Sequence, residues 1–354
     1  MRRVRKALAR AAVVALVAGA TIAVAGAAPS ADAQTSGCPS VGTNFSASGP
    51  FSVTVQSGSQ HTYYSPSSLG SQGCDTHPVI LWGNGTGTSV SSYDSLLRHF
   101  ASHGFIVAAA NTGSAGSGAA MLAGLDNLTS FNSQSGNRFN GRVDLDNVGS
   151  TGHSQGGGGA IETAADSRVD TAFPFEGWLA EGSDVRPGAT AFYMAGENDT
   201  IVSSSSVEAD FNDTDHAPAA FGELDGASHF TPVGNGGGFR GAATAWARWM
   251  LMGDGNGSGL FQGANCGLCT SSAWSDYEAN SLLQQFDTPD PDPDPDPDPQ
   301  CVTAVNLQHE SAGRATSFFY YSIAVGSGDF LGFSVSTTSL QETSPGFWEE
   351  VDSC

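Results

Sequence analysis

Proline and aspartate alternate through residues 288–300, and no other feature of the 354-residue sequence limits its folding more. Each proline withholds the N–H that a helix interior or a central strand requires, and the aspartates repel one another, so the run is an extended spacer. It divides the chain into a large unit, residues 34–287, and a small accessory one, residues 301–354. The large unit has the length of one α/β domain. The small one has little room for a core and needs its terminal cysteines, Cys301 and Cys354, as a staple.

In the large unit, apolar runs of strand length alternate with helix-like stretches. Pro78-Val79-Ile80-Leu81-Trp82 reads as a buried strand, Tyr93 to His103 as a helix, and Phe105-Ile106-Val107-Ala108-Ala109-Ala110 as the next strand. The cycle continues with a helix from about Gly118 to Phe131, a strand near Val148, a helix starting at Ser154, and strands at Ala172-Phe173 and Ala189-Thr190-Ala191-Phe192-Tyr193. Ala220-Phe221-Gly222-Glu223-Leu224 is the last expected strand, before a helix around Ala242 to Leu251. Such alternation predicts a mostly parallel sheet covered by helices on both faces, with its site at the carboxyl ends of the strands.

Residues 1–33 read as a secretory signal peptide: five basic residues, an apolar run from Ala11 to Ala28, and Ala31-Asp32-Ala33 as the cleavage pattern. Its removal takes five of 13 basic and one of 35 acidic residues, leaving 8 minus 34, or −26. That surface repels nucleic acid and anionic membrane alike, so neither is an expected partner. The expected mature protein is extracellular and monomeric. Six cysteines in an exported chain point to disulfides, and position favours Cys38 with Cys74, Cys266 with Cys269, and Cys301 with Cys354. The Cys266-x-x-Cys269 spacing lacks the second pair that a zinc site needs.

Between a strand and a helix lies Gly152-His153-Ser154-Gln155-Gly156. In that setting Gly-x-Ser-x-Gly is a nucleophile elbow, whose glycines allow a turn tight enough to lift the serine hydroxyl above the sheet. A serine nucleophile needs a base and a carboxylate to orient it, in chain order serine, acid, histidine. Asp199, in the loop after the strand at 189–193, and His229, five residues after the last expected strand, fit that order. Glu197 is the rival acid, and the bland reading of Asp199 is a turn or capping residue. His216 reads as a solvated loop residue, His99 and His103 as a surface pair on one helix rather than metal ligands, and His61 and His77 have no recognisable partners. The oxyanion of acyl transfer needs two amides, expected from the backbone N–H groups of Gln155 and of Asn84 in the loop Gly83-Asn84-Gly85-Thr86-Gly87. That loop lacks the Gly-Lys-Ser/Thr ending of a phosphate cradle.

From Gly49-Pro50-Phe51 to Leu251 the large unit resembles the bacterial polyester hydrolases, the actinobacterial cutinases and poly(ethylene terephthalate) hydrolases of the α/β-hydrolase superfamily. The resemblance rests on Tyr63-Tyr64-Ser65-Pro66, Ala101-Ser102-His103-Gly104-Phe105-Ile106-Val107, the four glycines after Gln155, Glu197-Asn198-Asp199-Thr200-Ile201, and Glu223-Leu224-Asp225-Gly226-Ala227-Ser228-His229-Phe230. It implies the α/β-hydrolase fold, a Ser154, His229, Asp199 triad, and a substrate-packing role for Trp178. The family's Pro-Gly-Tyr stands here as Trp82-Gly83-Asn84, and Gln155 replaces a frequent methionine. Both backbone amides survive, while one aromatic contact is lost. The small unit, with Asn306-Leu307-Gln308-His309-Glu310 and Ala312-Gly313-Arg314-Ala315, resembles modules on secreted polyhydroxyalkanoate depolymerases. Its aromatics Phe318, Phe319, Tyr320, Tyr321, Phe347 and Trp348 are candidates for a polymer-binding platform, about half of them core.

The reading of the sequence is therefore a secreted, cofactor-free carboxylic-ester hydrolase whose substrate is a polyester or acyl ester, including insoluble polymer surfaces. The alternatives are a polyhydroxyalkanoate depolymerase or lipase, and a surface-binding protein without catalysis.

Overall fold

The computed structural model describes residues 38–179, 183–286, 301–312, 314–318, 321–325, 327–344 and 347–354. The expected signal peptide and the Pro-Asp spacer lie outside the described residues. Among those described, no helix is long and apolar enough to cross a membrane.

The large unit is built on one nine-stranded sheet. In chain order its strands are β1 (Val53–Ser57), β2 (His61–Pro66), β3 (His77–Gly83), β4 (Ile106–Ala110), β5 (Val143–Gly152), β6 (Thr171–Ala172), β7 (Thr190–Gly196), β8 (Ala219–Leu224) and β9 (Trp274–Ala279). Across the sheet they run β1-β2-β4-β3-β5-β6-β7-β8-β9. Pairings from β4 to β8 are parallel, while β1, β2 and β9 add antiparallel partners at the two edges. The expected α/β-hydrolase fold is thus present.

The buried strand β3 shows why both faces are covered. Its side chains alternate: Ile80 and Trp82 join one core with Leu96 and Phe100 of α1 (Asp94–Ser102), and with Trp246 and Trp249 of a long helix at Arg240–Met252. Val79 and Leu81 face the opposite core, with Met121, Leu125 and Leu128 of α2 (Ala119–Ser133) and Ile161 of α3 (Gln155–Thr163). A strand buried on both sides must be apolar at every position, which is why it reads as an unbroken run.

The sequence reading placed no strand before Pro78 and none after Leu224, so it missed β1, β2 and β9. It also placed His99 and His103 on the surface. Both are buried, and their Nε2 atoms lie 3.0 Å from the Phe45 carbonyl and 2.9 Å from the Ala47 carbonyl, pinning the segment that precedes β1 to α1. His61 and His77 likewise have partners: the Ala120 carbonyl at 2.7 Å for His61 and the Gly104 carbonyl at 2.7 Å for His77. His216 is exposed, as a solvated loop residue would be, with its Nε2 at 2.9 Å from the Val185 carbonyl.

The expected cysteine pairs, Cys38–Cys74, Cys266–Cys269 and Cys301–Cys354, are all bonded. The small unit holds two three-stranded sheets: β10 (Cys301–Val305), β14 (Thr337–Ser344) and β15 (Phe347–Val351) in one, and β11 (Ala315–Phe318), β12 (Tyr321–Ala324) and β13 (Phe330–Phe333) in the other. Among its described residues the buried apolar core is Ala315, Ala324, Leu331, Leu340 and Trp348, and the disulfide between its end cysteines closes a loop of sequence separation 53. Chain entropy puts that closure at about 4 kcal/mol. Trp348 is therefore core, with Arg314 over its ring, whereas Phe330 and Phe333, absent from the expected platform, stand exposed beside Tyr321.

Candidate active site

The parallel strands end at one rim, and the site is assembled from the loops that leave β3, β5, β6, β7 and β8. Ser154 follows β5 directly, at φ 56° and ψ −122°, before α3 begins. A non-glycine residue holds such angles only where its surroundings impose them. Here the flanking glycines do so: a Cβ on Gly156 would stand 2.2 Å from the Gly83 carbonyl oxygen, and one on Gly152 would stand 2.4 Å from that of Gly156. The turn thus closes only because two side chains are missing.

Asp199 leaves β7, and its Oδ1 accepts the N–H groups of Ile201 at 2.7 Å and Val202 at 2.9 Å. Its other oxygen, Oδ2, lies 2.6 Å from Nδ1 of His229, whose Nε2 lies 2.9 Å from Ser154 Oγ. A carboxylate only accepts, so Nδ1 carries the proton and Nε2 presents a lone pair to the hydroxyl. Three side chains spread over 75 residues of sequence therefore form one hydrogen-bonded line, with Asp199 and His229 buried. Glu197 turns away: it is exposed, and its Oε2 accepts from the Gly226 N–H at 2.8 Å.

Asn84 follows β3 at the same rim. Its side chain is wholly buried in scaffolding: Nδ2 donates to the carbonyls of Ala110 and Thr112, and Oδ1 accepts from the Trp82 indole. No part of that side chain is left to face a substrate, but the loop backbone is fixed. Gln155 opens α3, where the first N–H groups of a helix have no intrahelical acceptor. Trp178 donates its N–H to the Ser154 carbonyl at 3.0 Å and carries an exposed side chain. Phe230 beside His229 and Ile201 beside Asp199 are also exposed, so large apolar groups fringe the triad.

Three further residues escaped the sequence reading. His153 donates from Nε2 to the His229 carbonyl at 2.7 Å, and its Nδ1 accepts the Tyr93 hydroxyl at 2.8 Å. Burial lowers its pKa to about 4, so it is neutral and locked in one tautomer, fixing the loop that carries His229. The third is Glu176, buried between the two histidines. Its spacing to His153 and His229 is within reach of a shared cation, yet the facing nitrogens of both rings already make the hydrogen bonds above. The other such trio, Cys38, Cys74 and His77, has its sulfurs in a disulfide.

The chain resembles known proteins. The family model of PET hydrolase-like proteins matches residues 27–272. Cutinase est2 of Thermobifida alba is 32% identical over 202 residues, covering 52% of this chain and 64% of that protein. A bis(hydroxyethyl) terephthalate hydrolase of Streptomyces coelicolor is 32% identical over 204 residues, covering 52% of this chain and 62% of that protein. The match thus spans just under two thirds of the length of these relatives. With more than half of its length inside the family match, the chain belongs to the PET hydrolase-like family.

Proposed function

We propose that this protein is an exported carboxylic-ester hydrolase that cleaves polyester or related acyl-ester material through an acyl-enzyme. The observation that carries the reading is the unbroken line from Ser154 Oγ to His229 (2.9 Å) to Asp199 (2.6 Å), mounted on a strained elbow. Ser154 attacks the ester carbonyl while His229 Nε2 takes its proton. Asp199 holds Nδ1–H and stabilises the imidazolium. The N–H groups of Asn84 and Gln155 receive the oxyanion. His229 then protonates the leaving alcohol, and water enters by the reverse steps.

Trp178 and Phe230, exposed at the fringe, form the walls for an acyl or aromatic unit. The names of the two relatives, a cutinase and a bis(hydroxyethyl) terephthalate hydrolase, support an ester substrate. Residues 301–354 act as an accessory binder, with Tyr321, Phe330 and Phe333 as its contact face. A charge of −26 after signal removal (8 minus 34) rules against anionic surfaces and leaves a neutral apolar polymer as the occupant.

Two measurements test the reading. The mature protein should react with a fluorophosphonate at Ser154, and Ser154→Ala should lower the turnover of a p-nitrophenyl ester by at least about a thousandfold. Wild-type protein that neither labels nor hydrolyses would sink the hydrolase in favour of a silent binder. Terephthalate release from film, set against clearing of polyhydroxybutyrate, distinguishes a polyesterase of this family from a polyhydroxyalkanoate depolymerase.

A further inference from the structure

Glu176 takes no part in the steps above, yet its placement is costly. It sits just after β6 at φ 48°, a left-handed conformation that glutamate seldom adopts. Its carboxyl is fully buried, and neither oxygen has a hydrogen-bond partner among the described residues. A buried polar group left so destabilises the fold, a cost which an apolar side chain in the same place would avoid. Room for it depends on Gly196 at the end of β7, where a Cβ would stand 2.4 Å from Glu176 Oε1. The other oxygen, Oε2, lies 3.8 Å from His229 Nδ1 and 3.6 Å from His153 Nε2.

Two carboxyl groups therefore face one imidazole nitrogen. Asp199 reaches it from the loop after β7, and Glu176 from the end of β6, one strand nearer the nucleophile. A movement of about 1 Å would bring Oε2 into hydrogen-bonding distance of Nδ1. We propose that Glu176 is a second acid of this site, a positioning residue that backs Asp199 and can orient His229 and stabilise its imidazolium in Asp199's place. The inference rests on the hydrolase reading.

Among the described residues, the charged and titratable groups facing Glu176 are Asp199, His229 and His153; β7 brings Gly196 beside it and the Met194 carbonyl, which accepts the Glu176 N–H at 2.8 Å. Burial, helped by the charge of Asp199, raises the carboxyl to about 8. Removing Asp199 removes that repulsion, so Glu176 ionises more readily when its carboxylate is needed. Proton balance is unchanged: Nδ1 keeps its proton, now facing Glu176, and Nε2 still takes the proton of Ser154.

The test compares full-chain wild type, Glu176→Gln, Asp199→Ala and the double variant, following kcat/KM for a soluble p-nitrophenyl ester from about pH 6 to 10, with a melting curve for each. Asp199→Ala should keep activity that climbs with pH and exceeds the double variant by at least about tenfold. Glu176→Gln alone should lose the rise in kcat/KM above the pH where Glu176 ionises. Equal rates and superposable pH profiles for Asp199→Ala and the double variant, in a background where wild type is active, overturn the proposal and leave the hydrolase reading intact. If the double variant does not fold, Glu176→Asp in the Asp199→Ala background replaces it: the shortened carboxylate should cost activity, and an unchanged rate overturns the idea. Wild type that fails to take a fluorophosphonate instead sinks the hydrolase reading, and this one with it.

Discussion

Glu176 also leaves a signature in stability. Its carboxyl titrates near 8 in the folded chain and near its ordinary 4.5 in the unfolded one. Between those values the folded state holds a proton that the unfolded state has released, so stability falls as pH rises through that window and levels off above it. Glu176→Gln removes the effect. The stability gained over wild type should therefore grow from pH 5 to pH 8, reaching at least about 1 kcal/mol. A constant offset across that range would show the carboxyl to be ionised throughout. Nothing in the sequence pointed to Glu176, because its meaning is a distance to a ring 53 positions later. Ser154, Asp199 and His229 were legible for the opposite reason: an elbow pentapeptide and two loops directly after strands are local patterns, and the fold converts strand ends into neighbours. Glu197 and Asp199 shared that pattern, and only coordinates show which of them turns inward.

At the scale of elements, the parallel centre of the sheet was readable and its edges were not. β3 and β7 are buried at every position, so their apolar runs announce themselves. β9 has the sequence WSDYEA, with Trp274 and Tyr277 partly buried against the core and the charges outward, and such an edge strand carries too few apolar residues to be told from a loop. The helix at Arg240–Met252 hides a different feature. Arg248 is buried, with Nε 2.7 Å from Asp254 Oδ2 and its other nitrogens donating at 2.8 Å to the carbonyls of His103 and Pro39. One guanidinium thus ties the last long helix to the end of α1 and to the segment beside Cys38. Arg248→Met should cost about 3–5 kcal/mol in urea unfolding, since it strands a buried carboxylate. Adding Asp254→Asn should recover part of the loss. A cost below about 1 kcal/mol would mean that water reaches and solvates Asp254.

For the whole molecule, the question is what the disulfide-stapled residues 301–354 would add to the proposed ester-cleaving site. Tyr321 lies 5.2 Å from Phe330 and 4.9 Å from Phe333 between ring centroids, and the two phenylalanines are 62% and 54% exposed, too open to serve the small core. Rings displayed side by side on a β-sheet suit a flat apolar solid better than a soluble ester. A module that holds the protein on a polymer raises the concentration of the active site at that surface. The benefit is one of local concentration and vanishes for a substrate already in solution. Replacing Phe330 and Phe333 together by serine should therefore weaken adsorption to polyester film and slow its hydrolysis by about tenfold or more, while the rate on a soluble p-nitrophenyl ester stays as in wild type. Because both rings are exposed, the melting temperature should hardly move. Equal losses on film and on soluble ester would reassign the small unit to supporting the fold of the large one.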